Sequence, residues 1–170
     1  MPIPLLTAIK FQRGVNIDNR LTHICTQLSE KGLIVGGLIQ ENSCGDVSGV
    51  QLVDIRSQQR FDIWENRGNH ASGCRLDEAG LLGSAEIIEQ AILDRVDLVI
   101  INRFGRAESE GKGLRDYFAQ AVDAGVPVLT GVREPYIEAW QNFHGGMAHE
   151  LLVTDTKMEN WIAKAIENSA

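Results

Sequence analysis

The sequence has few cysteines, few basic residues and no long apolar run, and each shortage narrows what the protein can be. Its three cysteines are an odd number and lie far apart, which favours a reduced, cytoplasmic setting over a secreted disulfide scaffold. The 16 lysines and arginines are outnumbered by 23 aspartates and glutamates, for a formal net charge of −7. A chain this acidic is not expected to bind nucleic acid, or to attach to a membrane through a basic patch.

No apolar stretch approaches the about 18 residues that a membrane-spanning helix needs, so membrane insertion is not expected. The N-terminal stretch has no basic region ahead of its short apolar segment, and we expect a strand there rather than a signal peptide. What the chain does contain is an ordinary globular balance of 44% hydrophobic and 23% charged residues. Its 170 residues, without repeat or linker, predict a single domain over 1–170 that folds without a disulfide or metal.

Strand-like and helix-like patterns alternate along the chain. Short apolar runs predict strands at 5–10, 33–39, 97–102, 126–132 and 151–153. Amphipathic stripes predict helices around 21–28, 77–95, 114–122, 136–143 and 158–166. We expect Asn16 or Asp18 to cap the first helix and Gly125 to end the third. Two short runs, 49–55 and 60–64, predict a β-hairpin. The alternation predicts a three-layer α/β sandwich, whose mainly parallel sheet carries the hairpin as an insertion.

A basic, glycine-rich segment follows the most apolar predicted strand. Open α/β sheets bind ligands at the carboxyl ends of their strands, and segment 102–115, NRFGRAESEGKGLR, holds four basic residues and three glycines there. Arginine forks suit phosphate and other tetrahedral oxyanions, and glycines let a ligand approach the backbone. We therefore predict an anion-binding site at this edge, built from Cys74, Arg75, Asn102, Arg103, Arg106, Lys112, Arg115 and Arg133.

Two features of this site admit a structural interpretation as well. The arginines would then form solvent-exposed ion pairs with Glu108, Glu110 and Glu134. Cys74 is expected just before the second helix, where the helix dipole would lower the pKa of its thiol and make it reactive or a soft metal ligand; it is otherwise a packed cysteine. We predict no catalytic residues and no metal-binding set, because the chain has neither a nucleophile elbow nor paired metal ligands at a recognisable spacing.

Six short motifs are distributed over most of the chain, and each occurs once. They are VGGLIQ at 35–40, GCRLD at 73–77, DLVIINRFG at 97–105, ESEGKG at 108–113, PVLTGV at 127–132 and EAWQNFHGG at 138–146. In this order they resemble a bacterial domain family of unassigned function that is often encoded beside molybdate transporter genes. The resemblance implies molybdate or a molybdopterin-type molecule as ligand. It implies molybdate transport or cofactor-insertion proteins as partners. Whether the chain also forms a homo-oligomer is left open by the sequence.

The order of elements is similar, more distantly, to that of the THEP-type P-loop nucleoside-triphosphatases. Here GVQLVDIRS at 49–57 and DLVIINRFG at 97–105 match that family in place, which implies a P-loop-like fold. A P-loop has the pattern G-x-x-x-x-G-K-[ST], but the equivalent stretch at 10–18, KFQRGVNID, has one glycine and no GK[ST]. Asn102 and Arg103 replace the two acids of the Walker B strand. An amide and a cation do not hold magnesium as two carboxylates do.

Three functions are consistent with these residues. We expect a non-hydrolysing module that binds an oxyanion or a phosphorylated ligand, with nucleotide less favoured than molybdate. The first alternative is a divergent nucleoside-triphosphatase with substitute catalytic groups. The second is a regulatory partner of a molybdate transporter or cofactor-insertion machine, with no small-molecule chemistry of its own.

Overall fold

The computed structural model describes residues 5–42, 50–62, 64–66, 74–76, 78–154, 162 and 164. In chain order the elements are β1 (Leu6–Phe11), α1 (Ile17–Glu30), β2 (Val35–Asn42), β3 (Val50–Asp54), β4 (Arg60–Asp62), β5 (Trp64–Asn66), β6 (Cys74–Leu76), α2 (Glu78–Leu93), β7 (Leu98–Arg103), α3 (Arg106–Ser109), α4 (Arg115–Ala124), β8 (Val128–Arg133), α5 (Ile137–His144) and β9 (Ala148–Leu152). Residues 162 and 164 are helical.

Seven of these strands form one sheet, in the order β4-β3-β2-β7-β8-β1-β9. Within this order the five neighbouring strands β2, β7, β8, β1 and β9 pair in parallel. Strand β3 runs antiparallel to both β2 and β4. The α/β fold with a mainly parallel sheet and a hairpin is therefore confirmed. The hairpin extends the edge of the main sheet, because β3 continues the ladder from β2.

Helices cover both faces of this sheet, because neighbouring strand residues point in opposite directions. Ile101 packs with residues of α2, α4 and α5, and Ile100 packs with α1 and Ile162 on the other face. Both of these isoleucines are 0% exposed. Burying each one contributes about 1.5–3 kcal/mol relative to leaving it in water, so β7 ties the two cores together.

Helix α1 begins where the sequence predicts. The side-chain oxygen of Asn16 accepts a hydrogen bond from the backbone N–H of Asn19 at 3.1 Å, so Asn16 is the cap and the side chain of Asp18 is left for another role. The end of α4 is also as predicted, because Gly125 has a φ of 74°. In this left-handed region glycine is the favoured residue.

The segment before α2 differs from the prediction. Cys74, Arg75 and Leu76 form strand β6, which pairs antiparallel with β5, and α2 begins only at Glu78. Cys74 therefore lies in a strand that ends two residues before α2, and the effect of the helix dipole on its thiol stays a prediction. Trp64 pairs with Leu76, and local periodicity does not predict such pairing between strands that are separated in the sequence.

Other boundaries move by a few residues, as expected for helix ends. The predicted helix at 136–143 is α5, and the predicted strand at 151–153 begins earlier, as β9. The short helix α3 was not predicted. Asp77 and most of the predicted helix at 158–166 lie outside the described residues, but Ile162 is helical and 2% exposed.

The two glycines of the VGGLIQ motif allow close packing around β2. A Cβ on Gly36 would lie 2.9 Å from the Cβ of Ala91 in α2. Gly37 has a φ of +108°, and a Cβ there would overlap the carbonyl oxygen of Ile100 on the neighbouring strand β7. The motif therefore has a structural role.

We predict that Gly37→Ala lowers the free energy of unfolding by about 3 kcal/mol, because strain at positive φ adds to overlap with a backbone atom. Gly14→Ala is the matched control. Gly14 has a φ of +94° but nothing within 4 Å of an added Cβ, so only the strain of about 1 kcal/mol applies. Urea denaturation of both variants measures the difference, and equal losses would contradict the argument.

Candidate functional site

The carboxyl end of β7 contains a β-bulge that turns two side chains towards α1. Ile101 is opposite Thr130 on β8, but Arg103 is opposite Gly131, so Asn102 is the extra residue. A bulge of this kind redirects side chains and is common beside functional sites. As a result, both Asn102 and Arg103 reach the carboxylate of Asp18 in the first turn of α1.

Asn102 links three elements through its side-chain amide. Its oxygen accepts from the backbone N–H of Gln40 on β2 at 2.8 Å, and its nitrogen donates to Asp18 at 3.1 Å. The residue is only 4% exposed. A buried amide with both ends engaged fixes the geometry of its neighbours, so Asn102 positions Asp18.

Arg103 forms an ion pair at the same place. One terminal nitrogen donates to both carboxylate oxygens of Asp18, at 3.2 and 3.1 Å. The central guanidinium carbon lies 5.8 Å from the centroid of the Phe11 ring, within cation–π range. The buried Nε has no hydrogen-bond partner among the described residues, while the side chain as a whole is 35% exposed. Arg103 is thus oriented from two sides and still open to solvent.

Gly131 on β8 provides the space for this arrangement. A Cβ there would lie 3.0 Å from Ile17, 3.2 Å from the Phe11 ring and 3.3 Å from the Asn102 carbonyl oxygen. These contacts come from α1, β1 and β7, so three elements converge on one position without a side chain. Sequence analysis did not select Gly131, although a glycine inside an apolar strand is a signal for close backbone approach.

Glu108 organises the loop that follows β7. Its carboxylate accepts from the backbone N–H groups of Gly105 at 2.9 Å and Leu114 at 3.1 Å, so it holds the starts of both α3 and α4. Gly113 has a φ of +63°, and a Cβ there would overlap this carboxylate. Burial raises the pKa of Glu108 above the usual glutamate value. The ESEGKG motif therefore builds the loop, and Glu108 accepts from backbone N–H groups in place of the arginine ion pair that the alternative interpretation gave it.

Two of the predicted basic residues point to other partners. Arg106 is 81% exposed and its Nε lies 3.4 Å from the Glu110 carboxylate, the solvent-exposed pair that the structural interpretation anticipated. The guanidinium carbon of Arg115 lies 5.0 Å from the centroid of the Phe143 ring on α5. Neither of these contacts involves Asp18.

Two others lie at the same edge of the sheet. Arg133 is opposite Phe11 in the β1–β8 register, so Arg133 and Arg103 flank the same aromatic residue, and the Nε of Arg133 donates to the Glu134 carbonyl oxygen at 3.2 Å. Lys112 is exposed in the loop before α4. Arg75 and Cys74 lie in β6, but their side chains are outside the described part, and their roles in a site stay predictions.

Two solved structures share this architecture. One is the solution structure of a human cancer-related nucleoside triphosphatase, with a TM-score of 0.67 and 13% identity, covering 98% of this chain and 96% of that one. The other is the crystal structure of THEP1 from the hyperthermophile Aquifex aeolicus, with a TM-score of 0.68 and 14% identity, covering 94% and 95%. The fold is that of the P-loop nucleoside-triphosphatases.

Within that fold the chain belongs to the family described as Protein of unknown function (DUF2478), which matches residues 6–161. It is also 36% identical over 159 residues to the molybdenum import ATP-binding protein ModC 2 of Bradyrhizobium diazoefficiens. The match covers 92% of this chain and 18% of that protein, so the chain spans less than a fifth of the curated relative's length.

The residues at the usual magnesium position of the fold do not fit that ion. In P-loop enzymes Mg²⁺ is held by a serine or threonine at the start of the first helix and by an aspartate on the Walker B strand. Here Asp18 occupies the first turn of α1, and the guanidinium of Arg103 already lies 3.1 Å from its carboxylate. Among the described residues, no group of three or more histidine, cysteine or acidic side chains forms a metal site.

No helix in the described part of the chain is long and apolar enough to span a bilayer.

We predict that Glu108→Ala costs about 1–3 kcal/mol of stability, because buried backbone N–H groups lose their acceptor. The pKa of Glu108 is raised in the folded state. Its contribution is therefore greatest below the ordinary glutamate pKa and falls as pH rises through the raised value. Urea unfolding from acid to neutral pH measures this trend.

Glu110→Ala is the matched control, because Glu110 is 52% exposed in its pair with Arg106 and should contribute less than about 1 kcal/mol. Equal losses in the two variants would contradict the proposed role of Glu108 in the loop, as would a cost of Glu108→Ala that grows with pH.

Proposed function

We propose that the chain is a non-hydrolysing, metal-independent module that binds a tetrahedral oxyanion and acts together with molybdate import. The observation that carries this proposal is the guanidinium of Arg103, held against Asp18 and the Phe11 ring at the place where this fold otherwise holds Mg²⁺. In this proposal a side-chain cation takes over the role of the metal towards the anion.

The geometry of Arg103 suits this role. A guanidinium stays charged at all physiological pH values and has five N–H donors. One terminal nitrogen is committed to Asp18, which leaves the other terminal nitrogen for a ligand. Because the side chain is already oriented by Asp18 and Phe11, binding costs less conformational entropy. Arg133 lies at the same edge, as do the N–H groups that begin α1.

The link to molybdate is supported by the curated relative. That protein is named as a molybdenum import ATP-binding protein, and this chain matches a small part of it. We propose molybdate, or another oxyanion of the same shape, as ligand, and a molybdate transporter or cofactor-insertion protein as partner. The same match favours a second candidate, a regulatory partner of the transporter that binds no small ligand.

The binding of an oxyanion should depend directly on Arg103. We predict that Arg103→Ala weakens the binding of molybdate by about 1–3 kcal/mol, since charge-assisted hydrogen bonds are lost. Asp18→Asn should strengthen binding several-fold, because the carboxylate competes with the anion for the same guanidinium. Isothermal titration with molybdate, tungstate, sulfate and phosphate measures both changes.

Arg56→Ala is the control, because Arg56 pairs with Asp94 away from this edge. Unchanged affinity in Arg103→Ala would place the ligand elsewhere. No binding of any of the four anions to the wild-type chain would favour the regulatory candidate. Weaker binding in Asp18→Asn would mean that Asp18 serves mainly to orient Arg103.

A test of hydrolysis separates this proposal from the alternative of a divergent nucleoside-triphosphatase. We expect no magnesium-dependent hydrolysis of ATP or GTP above background, because Asn102 and Arg103 replace the carboxylates that would hold the ion. Phosphate release with Mg²⁺ and with EDTA is the measurement. A turnover in the ordinary enzyme range of about 1 s⁻¹ or more, lost in Asn102→Ala, would overturn the proposal.

A further inference from the structure

A groove of about 520 Å³ lies between α1 and the β2–β3 edge of the sheet, which is within the size range of small-molecule sites. Side chains of α1 line it with Thr22, Cys25, Thr26, Ser29 and Glu30. Side chains of the sheet and the β3–β4 turn line it with Ile39, Glu41, Val53, Ile55 and Gln58. None of the described lining residues is basic.

Several polar hydrogens of this lining are already used inside the protein. The Thr22 hydroxyl donates to the Asp18 carbonyl oxygen at 2.9 Å, and the Thr26 hydroxyl to the Thr22 carbonyl oxygen at 3.0 Å. The side-chain nitrogen of Gln58 donates to the Ile55 carbonyl oxygen at 3.0 Å. Each of these groups keeps an oxygen with free lone pairs.

The remaining polar groups of the lining add further acceptors and negative charge. The Ser29 hydroxyl is hydrogen-bonded to Cys25, and burial raises the pKa of this thiol overall, so it stays neutral. Glu30 and Glu41 add two carboxylates, of which Glu41 is also paired with Arg60. The groove therefore offers acceptors and negative charge beside an apolar floor that includes Ile39 and Val53, which are 6% and 4% exposed.

We propose that this groove binds a small organic cation, an alkylammonium or alkylguanidinium group on an apolar stem. Such a group supplies the positive charge that the lining lacks and donors for its acceptor oxygens, and its stem covers the apolar floor. An anion would meet the carboxylates of Glu30 and Glu41 and no side-chain cation among the described lining residues. The site is independent of the proposed oxyanion site, which lies at the N-terminal turn of α1.

Three small probes with an alkyl chain and a planar head group of different charge test the proposal on the full chain. We expect n-butylguanidinium to shift the backbone amide signals of the lining residues saturably in ¹H–¹⁵N spectra. The neutral isostere n-butylurea, which replaces a donor with a carbonyl acceptor, should bind at least about 10-fold more weakly, and butyrate should not bind. Equal binding of the urea or of butyrate, or shifts confined to residues outside the groove, would overturn the proposal.

Variants then test the lining itself. Thr26→Val keeps the shape of an exposed side chain but removes its acceptor, and Glu30→Gln removes one charge, so each should weaken binding several-fold. Glu89→Gln, which changes an exposed acid on α2 across the sheet, should leave it unchanged. Full affinity in both groove variants would overturn the proposal. A further titration with N-acetyl-arginine amide distinguishes two origins of the natural ligand. Tighter binding than that of butylguanidinium points to an arginine side chain of another protein, and weaker binding points to a free amine or guanidine.

Discussion

The ion pair between Asp18 and Arg103 joins the first turn of helix α1 to the end of strand β7. Helix α1 follows β1, and β7 is separated from β1 by β8. The pair therefore crosses over β8, and it does so where Gly131 has no side chain to obstruct it. Asn102, buried beneath the pair, extends the connection to β2 through Gln40. These contacts connect the first turn of α1 with β7 and β2, beside the apolar packing of its buried side chains.

Most of the fold could be predicted because its signals are local. Alternating strands and helices have distinct periodicities, and the apolar run that became β7 is buried on both faces. The ribbon of β5 and β6 could not be predicted in this way. Its strands are short and joined only by pairing such as Trp64 with Leu76, and three residues do not establish a period. Cys74 was misplaced for this reason.

The chemistry of the candidate site could be predicted only in part. Sequence analysis selected Arg103 and Asn102 for their types and their place after a strand, but their shared partner Asp18 lies 85 positions from Arg103. The glycines and acids of the following loop were interpreted as ligand approach and ion pairs. In the structure Gly113 makes room for Glu108, whose carboxylate serves backbone N–H groups. A motif rich in glycine and charge can thus be the framework of a loop.

A guanidinium at the metal position differs from a metal ion in one further respect: it cannot leave. A divalent ion exchanges with its pool, so a site built on one responds to chelators and to ion supply. Arg103 is covalently part of β7, so its guanidinium stays with the folded chain. The local field at this edge is therefore a fixed property of the folded chain. What varies is its screening, because solvent reaches the exposed part of the side chain and dissolved salt weakens attraction at such positions.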